Sequence, residues 1–180
     1  MLNKADLRQA LIAKRLAIEP ALRASWNVRL SSMLLKWWNR DRPETLGVYW
    51  PIRGEPDLQE AYAALTAQGV QLALPVVEEK DAPLVFARWT PGDAVVKDKH
   101  GVAIPAATMF ITPDVLLIPC VGFDNQRFRL GYGGGYYDRT LAREARPRAI
   151  GIAYSCMHAE FETGSHDVAL DAIITEREIF

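Results

Sequence analysis

A three-layer α/β fold, with a mostly parallel sheet covered by helices on both faces, is what the sequence predicts. Three observations lead there. Up to about Trp38 the apolar side chains recur at helical spacing, whereas from Thr45 they fall into short continuous runs. Those runs alternate with helix-length amphipathic segments, the pattern of strand–helix–strand units. A tight glycine cluster then follows one of the runs, where a strand would end and a ligand could approach the backbone.

Taken in order, Asn3 and Asp6 form a capping arrangement for a helix to about Leu16, with Leu7, Ala10 and Leu11 on its apolar side. Lys4 and Arg8 lie four apart and so share a face, and Lys14-Arg15 add to a basic surface. Read alone, that surface is a solvated one. Pro20 suits the first position of a second helix, whose buried stripe is Leu22, Trp26, Leu30, Met33, Leu34 and Trp37. Trp26, Trp37 and Trp38 are expected to pack. Leu46–Trp50 reads as a buried strand ending at Pro51, Ile52–Asp57 as a loop, and Leu58–Gln68 as a helix stopped by Gly69. Gln71–Val77 and Leu84–Trp89 are strands, the latter with a hairpin partner, and Glu78–Asp81 is a solvated hairpin tip. Val115–Ile118 is a strand leading to the glycines, followed by a helix from Tyr136 to about Ala145. Arg148–Tyr154 and Ala172–Thr175 are the last strands. The result is Rossmann-like in build, one domain over residues 1–180, with ligands expected at the carboxyl ends of the strands, where Glu55 and the glycines fall.

Composition excludes several classes. Basic and acidic residues number 21 and 22, a net charge of −1, so no basic face for nucleic acid is indicated. The longest apolar stretch, Val115–Phe123, is too short to span a bilayer and is broken by Pro119. Cys120 and Cys156 give neither metal spacing nor a disulfide framework and are expected to be buried thiols. No signal peptide is visible. A cytoplasmic monomer, without membrane or nucleic-acid partners, is expected.

Four of the 12 glycines lie within Gly131–Gly135, inside the stretch Arg129-Leu130-Gly131-Tyr132-Gly133-Gly134-Gly135-Tyr136-Tyr137-Asp138-Arg139. A strand, a glycine turn and a helix start together expose amide hydrogens to an anion. Arg129 and Arg139 add charge, and Asp138 could hold a divalent cation bridging phosphates. No lysine follows the glycines, so this is not a P-loop. Tyr136 occupies the place of the third glycine of a dinucleotide fingerprint. A glycine-rich hairpin without a ligand is the simpler alternative. His100, His158 and His166 show no metal spacing, Asp124 is expected to shape the approach to the loop, and Asp167 to be a turn residue.

Five ordered blocks resemble the 5-formyltetrahydrofolate cyclo-ligase family (methenyltetrahydrofolate synthetase). They are Lys4-x-x-x-Arg8, Trp50-Pro51-Ile52-Arg53-Gly54-Glu55, Leu117-Ile118-Pro119-x-x-Gly122-Phe123-Asp124, the loop Arg129–Arg139, and His166-Asp167-x-x-x-Asp171. Two places differ: Arg127, followed by Phe128, stands where the family commonly has a glycine, and Tyr132 and Gly134 stand where some members have a basic residue.

The resemblance implies closure of 5-formyltetrahydrofolate to 5,10-methenyltetrahydrofolate with ATP and Mg2+, releasing ADP and phosphate. It implies catalytic roles for Lys4, Arg8, Arg129 and Asp138. ATP would be bound by Lys4, Arg8 and the run Arg129, Leu130, Gly131, Tyr132, Gly133, Gly134, Gly135, Tyr136 and Tyr137. Trp50, Glu55, Tyr132 and Tyr136 would bind the folate, with Glu55 on the donor edge of the pterin, and Asp138 with Asp171 would hold Mg2+. Two other readings compete: a sugar-phosphate isomerase or transferase with a phosphate in the loop, and a folate- or nucleotide-binding protein without turnover.

Overall fold

The computed structural model describes residues 3–180. In chain order it runs α1 (Lys4–Leu16), α2 (Pro20–Asp41), β1 (Thr45–Gly47), α3 (Gln59–Ala67), β2 (Gln71–Val76) and β3 (Val85–Trp89). There follow β4 (Val95–Lys97), β5 (Ala103–Pro105), β6 (Phe110–Ile111), β7 (Val115–Pro119), β8 (Gly122–Phe123) and β9 (Arg129–Leu130). The chain closes with α4 (Tyr136–Leu141), β10 (Arg148–Ile152) and β11 (Ala172–Ile174).

Seven strands make the main sheet in the order β11-β10-β7-β1-β2-β3-β6. Neighbours from β11 through β2 are parallel, and β3 and β6 add antiparallel at one edge. The mostly parallel α/β sheet expected from the sequence is therefore present. β1–α3–β2 steps one way along the sheet and β7–α4–β10 the other. Right-handed crossovers then set α3 and α4 on opposite faces. α2 packs on α3 and reaches β11. Winding reverses between β1 and β7, which pair directly at Leu46–Val115 and Gly47–Leu116. Beyond their carboxyl ends lies the crevice where ligands enter such sheets.

Close approach fixes Gly47 in this central position. A Cβ there would lie 2.5 Å from Leu116 Cδ2 and 2.9 Å from Phe86 Cε1. Gly47→Ala is therefore expected to destabilise the fold by about 2 kcal/mol, as overpacking does, and to lower Tm by roughly 4–8 °C. A melt matching the native chain within a degree would contradict this packing.

The tryptophans pack as expected: Trp37 and Trp38 are buried, and Trp26 lies against Tyr154 with centroids 5.4 Å apart. Cys120 is buried, whereas Cys156 is only half-buried, and both are free thiols. Several details differ from the sequence expectation, among them β1, which ends at Gly47 and not at Trp50. α4 stops at Leu141 instead of Ala145, with Ala142 as its cap, and the chain turns through Pro147 into β10 at Arg148, whose N–H donates to Asp114 O at 3.0 Å. The hairpin β4–β5 and the short edge strand β6 had no apolar alternation to announce them. A turn in which Asp98 Oδ1 accepts from the His100 and Val102 N–H groups builds that hairpin. The hairpin β8–β9 inserts between β7 and the glycine loop.

Candidate functional site

One face of α1 forms a wall over the crevice. Lys4, Arg8, Leu11 and Arg15, spaced four, three and four apart, all point to it. Lys4 Nζ meets Asp167 Oδ2 at 2.5 Å, and Arg8 Nε donates to Gly131 O at 2.5 Å. Leu11 seats on the backbone of Gly122. Arg15, only 1% exposed, donates to Arg53 O at 3.0 Å, Cys120 O at 3.3 Å and the Tyr132 hydroxyl at 2.6 Å. Sequence reading placed Arg15 on a solvated face. The available signal was its place four residues after Leu11, on the buried stripe of the helix.

The β8–β9 hairpin delivers the glycine loop. Asp124 Oδ1 accepts from the Gln126 and Phe128 N–H groups and so shapes its turn, as expected. Arg127 takes a left-handed φ of 65°, the conformation glycine adopts most readily. Its hold on Leu170 through Nε (3.1 Å) and the reciprocal Leu170 N–H (2.9 Å) offsets that strain. Gly133 and Gly135 have φ of 95° and 67°. The Arg8 guanidinium lies 3.7 Å from where a Gly133 Cβ would be. Arg139 Nη2 donates to Gly134 O at 2.7 Å and its guanidinium covers the Tyr136 ring at 4.8 Å. With six residues, α4 has little dipole to offer an anion. Positive charge at this loop comes from side chains: Arg8, Lys4, Arg129 and Arg139.

The Arg129 side chain, 5% exposed, pairs with Asp138 Oδ1 at 3.0 Å and lies over the Tyr137 ring at 5.7 Å. Leu130 is core, and its carbonyl accepts from the Val121 N–H at 2.8 Å, anchoring the loop. Tyr137 packs against the core.

Glu55 is 4% exposed at the end of the loop after β1. Its Oε2 accepts from the Ile52 N–H at 2.9 Å and its Oε1 from the Tyr132 hydroxyl at 2.8 Å. Burial raises its carboxyl above the usual range, against the lowering effects of those two donors and of Arg15 and Arg53. Tyr132 thus stands between the glycine loop and Glu55, with Arg53 over its ring at 5.4 Å. Trp50 is half-buried with its edge toward Trp89, centroids 5.8 Å apart.

Asp171 does not join Asp138. Its carboxylate sits at the amino-terminal ends of β10 and β11, gripped by Arg146 at 2.9 and 3.1 Å and by the Ala149 N–H at 2.7 Å. The pairing of Asp171 with Asp138 is therefore corrected: three donors commit this side chain to joining two strands. The acid brought to the site wall is Asp167, next to Val168, whose N–H donates to Asp138 Oδ1 at 3.3 Å. Asp167 is also the turn residue expected, accepting from the Gly164 N–H. His166 is exposed.

Burial raises the Asp171 carboxyl, but Arg146 and the Ala149 N–H outweigh it and hold the group below 3.8. Its stabilisation is then full above the unfolded value and is lost as pH falls through the folded one. Asp171→Asn is expected to lose urea stability at pH 6 and to show a shallower decline than the native chain below pH ~4. Parallel declines for the two proteins would remove this contribution.

Residues 1–176 match the 5-formyltetrahydrofolate cyclo-ligase family. A 5-formyltetrahydrofolate cyclo-ligase of Mycolicibacterium smegmatis is 30% identical over 97% of this chain and 94% of its own length. The 5,10-methenyltetrahydrofolate synthetase structure from Mycoplasma pneumoniae superposes with a TM-score of 0.82 at 26% identity, covering 98% of this chain and all of that one. The synthetase from Aquifex aeolicus gives 0.84 at 26% identity, covering 98% and 91%.

Proposed function

Because the chain belongs to the 5-formyltetrahydrofolate cyclo-ligase family, we propose that its crevice closes 5-formyltetrahydrofolate to 5,10-methenyltetrahydrofolate at the expense of MgATP. Residues 1–180 act as one catalytic domain in this reading, a cytoplasmic monomer. Among the described residues no helix is long and apolar enough to cross a membrane. The observation that carries the reading is the meeting of two subsites. Lys4, Arg8 and Arg129 gather at the glycine loop, and the buried Glu55 is hydrogen-bonded to Tyr132 of that same loop.

The chemistry needs what these residues supply. A formyl oxygen on an amide nitrogen is a poor leaving group. It attacks the γ-phosphorus, the bond to ADP breaks, and an imidoyl phosphate results. The neighbouring nitrogen of the same folate then attacks the former formyl carbon and gives up its proton to water, the ring closes and phosphate departs. Positioning and charge neutralisation carry such a transfer. Lys4, Arg8 and Arg129, with the amides of Gly131–Gly135, hold the triphosphate. Tyr136 and Tyr137 pack beside it. Glu55 accepts from the pterin donor edge, and Trp50 and Tyr132 line that end.

Among the described residues no three His, Cys, Asp or Glu side chains converge as a metal cage. The donors fit Mg2+ carried on a nucleotide, which needs one or two carboxylates beside phosphate oxygens and water. Asp138 and Asp167 are those carboxylates, and the ion would neutralise phosphate charge. Asp138→Ala is expected to raise the Mg2+ concentration needed for half-maximal rate about tenfold. Unchanged Mg2+ dependence would remove Asp138 from this role.

The deciding test is absorbance at the methenyl-folate band with purified protein, ATP, Mg2+ and 5-formyltetrahydrofolate. A rise that requires all four is expected. A rise without ATP, or none while both ligands bind, would overturn the reaction.

A further inference from the structure

Arg15 has no part in the roles above, yet it is a nearly fully buried guanidinium. No carboxylate among the described residues lies within ion-pair distance of it. Its charge reaches Glu55 through one intermediary: Arg15 Nη2 donates to the Tyr132 hydroxyl at 2.6 Å, which donates to Glu55 Oε1 at 2.8 Å. The chain links three separate elements: α1, the glycine loop and the loop after β1. Such a hydrogen-bond series polarises along its length and holds all three groups in one geometry.

On the reading that Glu55 recognises the pterin, we infer that Arg15 and Tyr132 are positioning residues for the folate, orienting Glu55 and latching the glycine loop to it. An ionised carboxylate presents only acceptors to the pterin N–H donors, whereas a protonated one would turn a donor toward them, and the burial of Glu55 opposes ionisation. The latch works against that burial. A hydroxyl donor held in place by a fixed cation favours the charged carboxylate, while the remaining lone pairs of Glu55 stay free for substrate. Arg15 from α1, Arg53 and the Ile52 N–H from the carboxylate's own loop, and Tyr132 from the glycine loop all face the group. Tyr49, Tyr62, Tyr137 from α4 and Cys120 from the end of β7 complete its surroundings. Burial pushes each of those phenols up and the Cys120 thiol up to about 12, so they stay neutral while Glu55 titrates.

The test uses Tyr132→Phe, which deletes one hydroxyl at a partly exposed position, beside Arg15→Lys and Glu55→Gln. In Tyr132→Phe the KM for 5-formyltetrahydrofolate is expected to rise about tenfold, the scale of one lost bond to a charged group. The KM for ATP should stay within twofold. The acid limb of kcat/KM for folate should move to higher pH, because the carboxylate loses a donor that favours its charged form. Arg15→Lys keeps the charge and should give a limb between the two. A purely structural role would lower kcat and Tm and leave the limb in place. Native folate KM and an unmoved limb in Tyr132→Phe, with Glu55→Gln impaired, would overturn the latch alone. Native folate KM in Glu55→Gln would overturn the pterin assignment and the latch with it.

Discussion

Arg8→Ala is expected to lower kcat/KM for ring closure by about a thousandfold, the lower end of what a phosphate-directed arginine contributes. Among the described residues Arg8 and Arg139 are the cations at the glycine loop that no carboxylate pairs with, and Arg139 is turned back onto Gly134 O and Ala82 O. Lys4 is held by Asp167 and Arg129 by Asp138. Arg8 is instead tethered by a carbonyl, Gly131 O, with its guanidinium beside the left-handed Gly133. That tether fixes direction without neutralising charge, so the guanidinium keeps its full attraction for a triphosphate. Because α4 is too short for a useful dipole, no helix end replaces its charge. Arg8→Lys keeps the charge but not the planar fork and should recover only part of the rate. The absorbance assay at saturating folate measures both. A kcat/KM for Arg8→Ala within threefold of native would remove Arg8 from the reaction.

Glu55→Gln is expected to lower kcat/KM for folate by about a hundredfold, through loss of charge-assisted bonds to the pterin edge, while stability at neutral pH holds or rises. The two effects share a cause. The folded-state carboxyl of Glu55 is raised above 4.5 by burial, so the ionised group destabilises the fold above that folded value. The penalty shrinks as pH falls from the folded value toward the unfolded one and is gone below both, where both states are protonated. Gln removes the charge and keeps the shape, and its carbonyl oxygen still accepts from one of the two donors, the Ile52 N–H or the Tyr132 hydroxyl. Weaker folate turnover with an equal or higher Tm at pH 7.5 is the signature of a group kept for function at the fold's expense. A Tm loss of several degrees, with folate kinetics unchanged, would make Glu55 a structural residue instead.

Much of this was legible in the chain. The helix over Gln59–Ala67 lies inside its predicted span because apolar periodicity, flanked by Leu58 and Gly69, is local information. The strands Gln71–Val76 and Val115–Pro119 were equally plain, since strands inside a covered sheet read as apolar runs. The β4–β5 hairpin was not, because its strands are only three residues long and half-exposed, too short to show a period. In the site, Lys4 and Arg8 could be read as sharing a face from spacing alone, and the glycine cluster from composition.

What the sequence determined by itself was the inventory of chemistry: a glycine turn able to take left-handed backbone, cations on one helical face, and a carboxylate after the first strand. Helix periodicity and glycine's conformational freedom depend on near neighbours, so they are written in short windows. Which acid faces which cation was decided only by the tertiary structure. Asp171 went to Arg146 and two strand ends, Asp167 to Lys4, and Arg15 inward to Tyr132. Each of those pairings joins segments far apart in the chain. Their choice rests on sheet order and on the burial that makes an unpartnered charge costly, and neither quantity exists until the layers have packed.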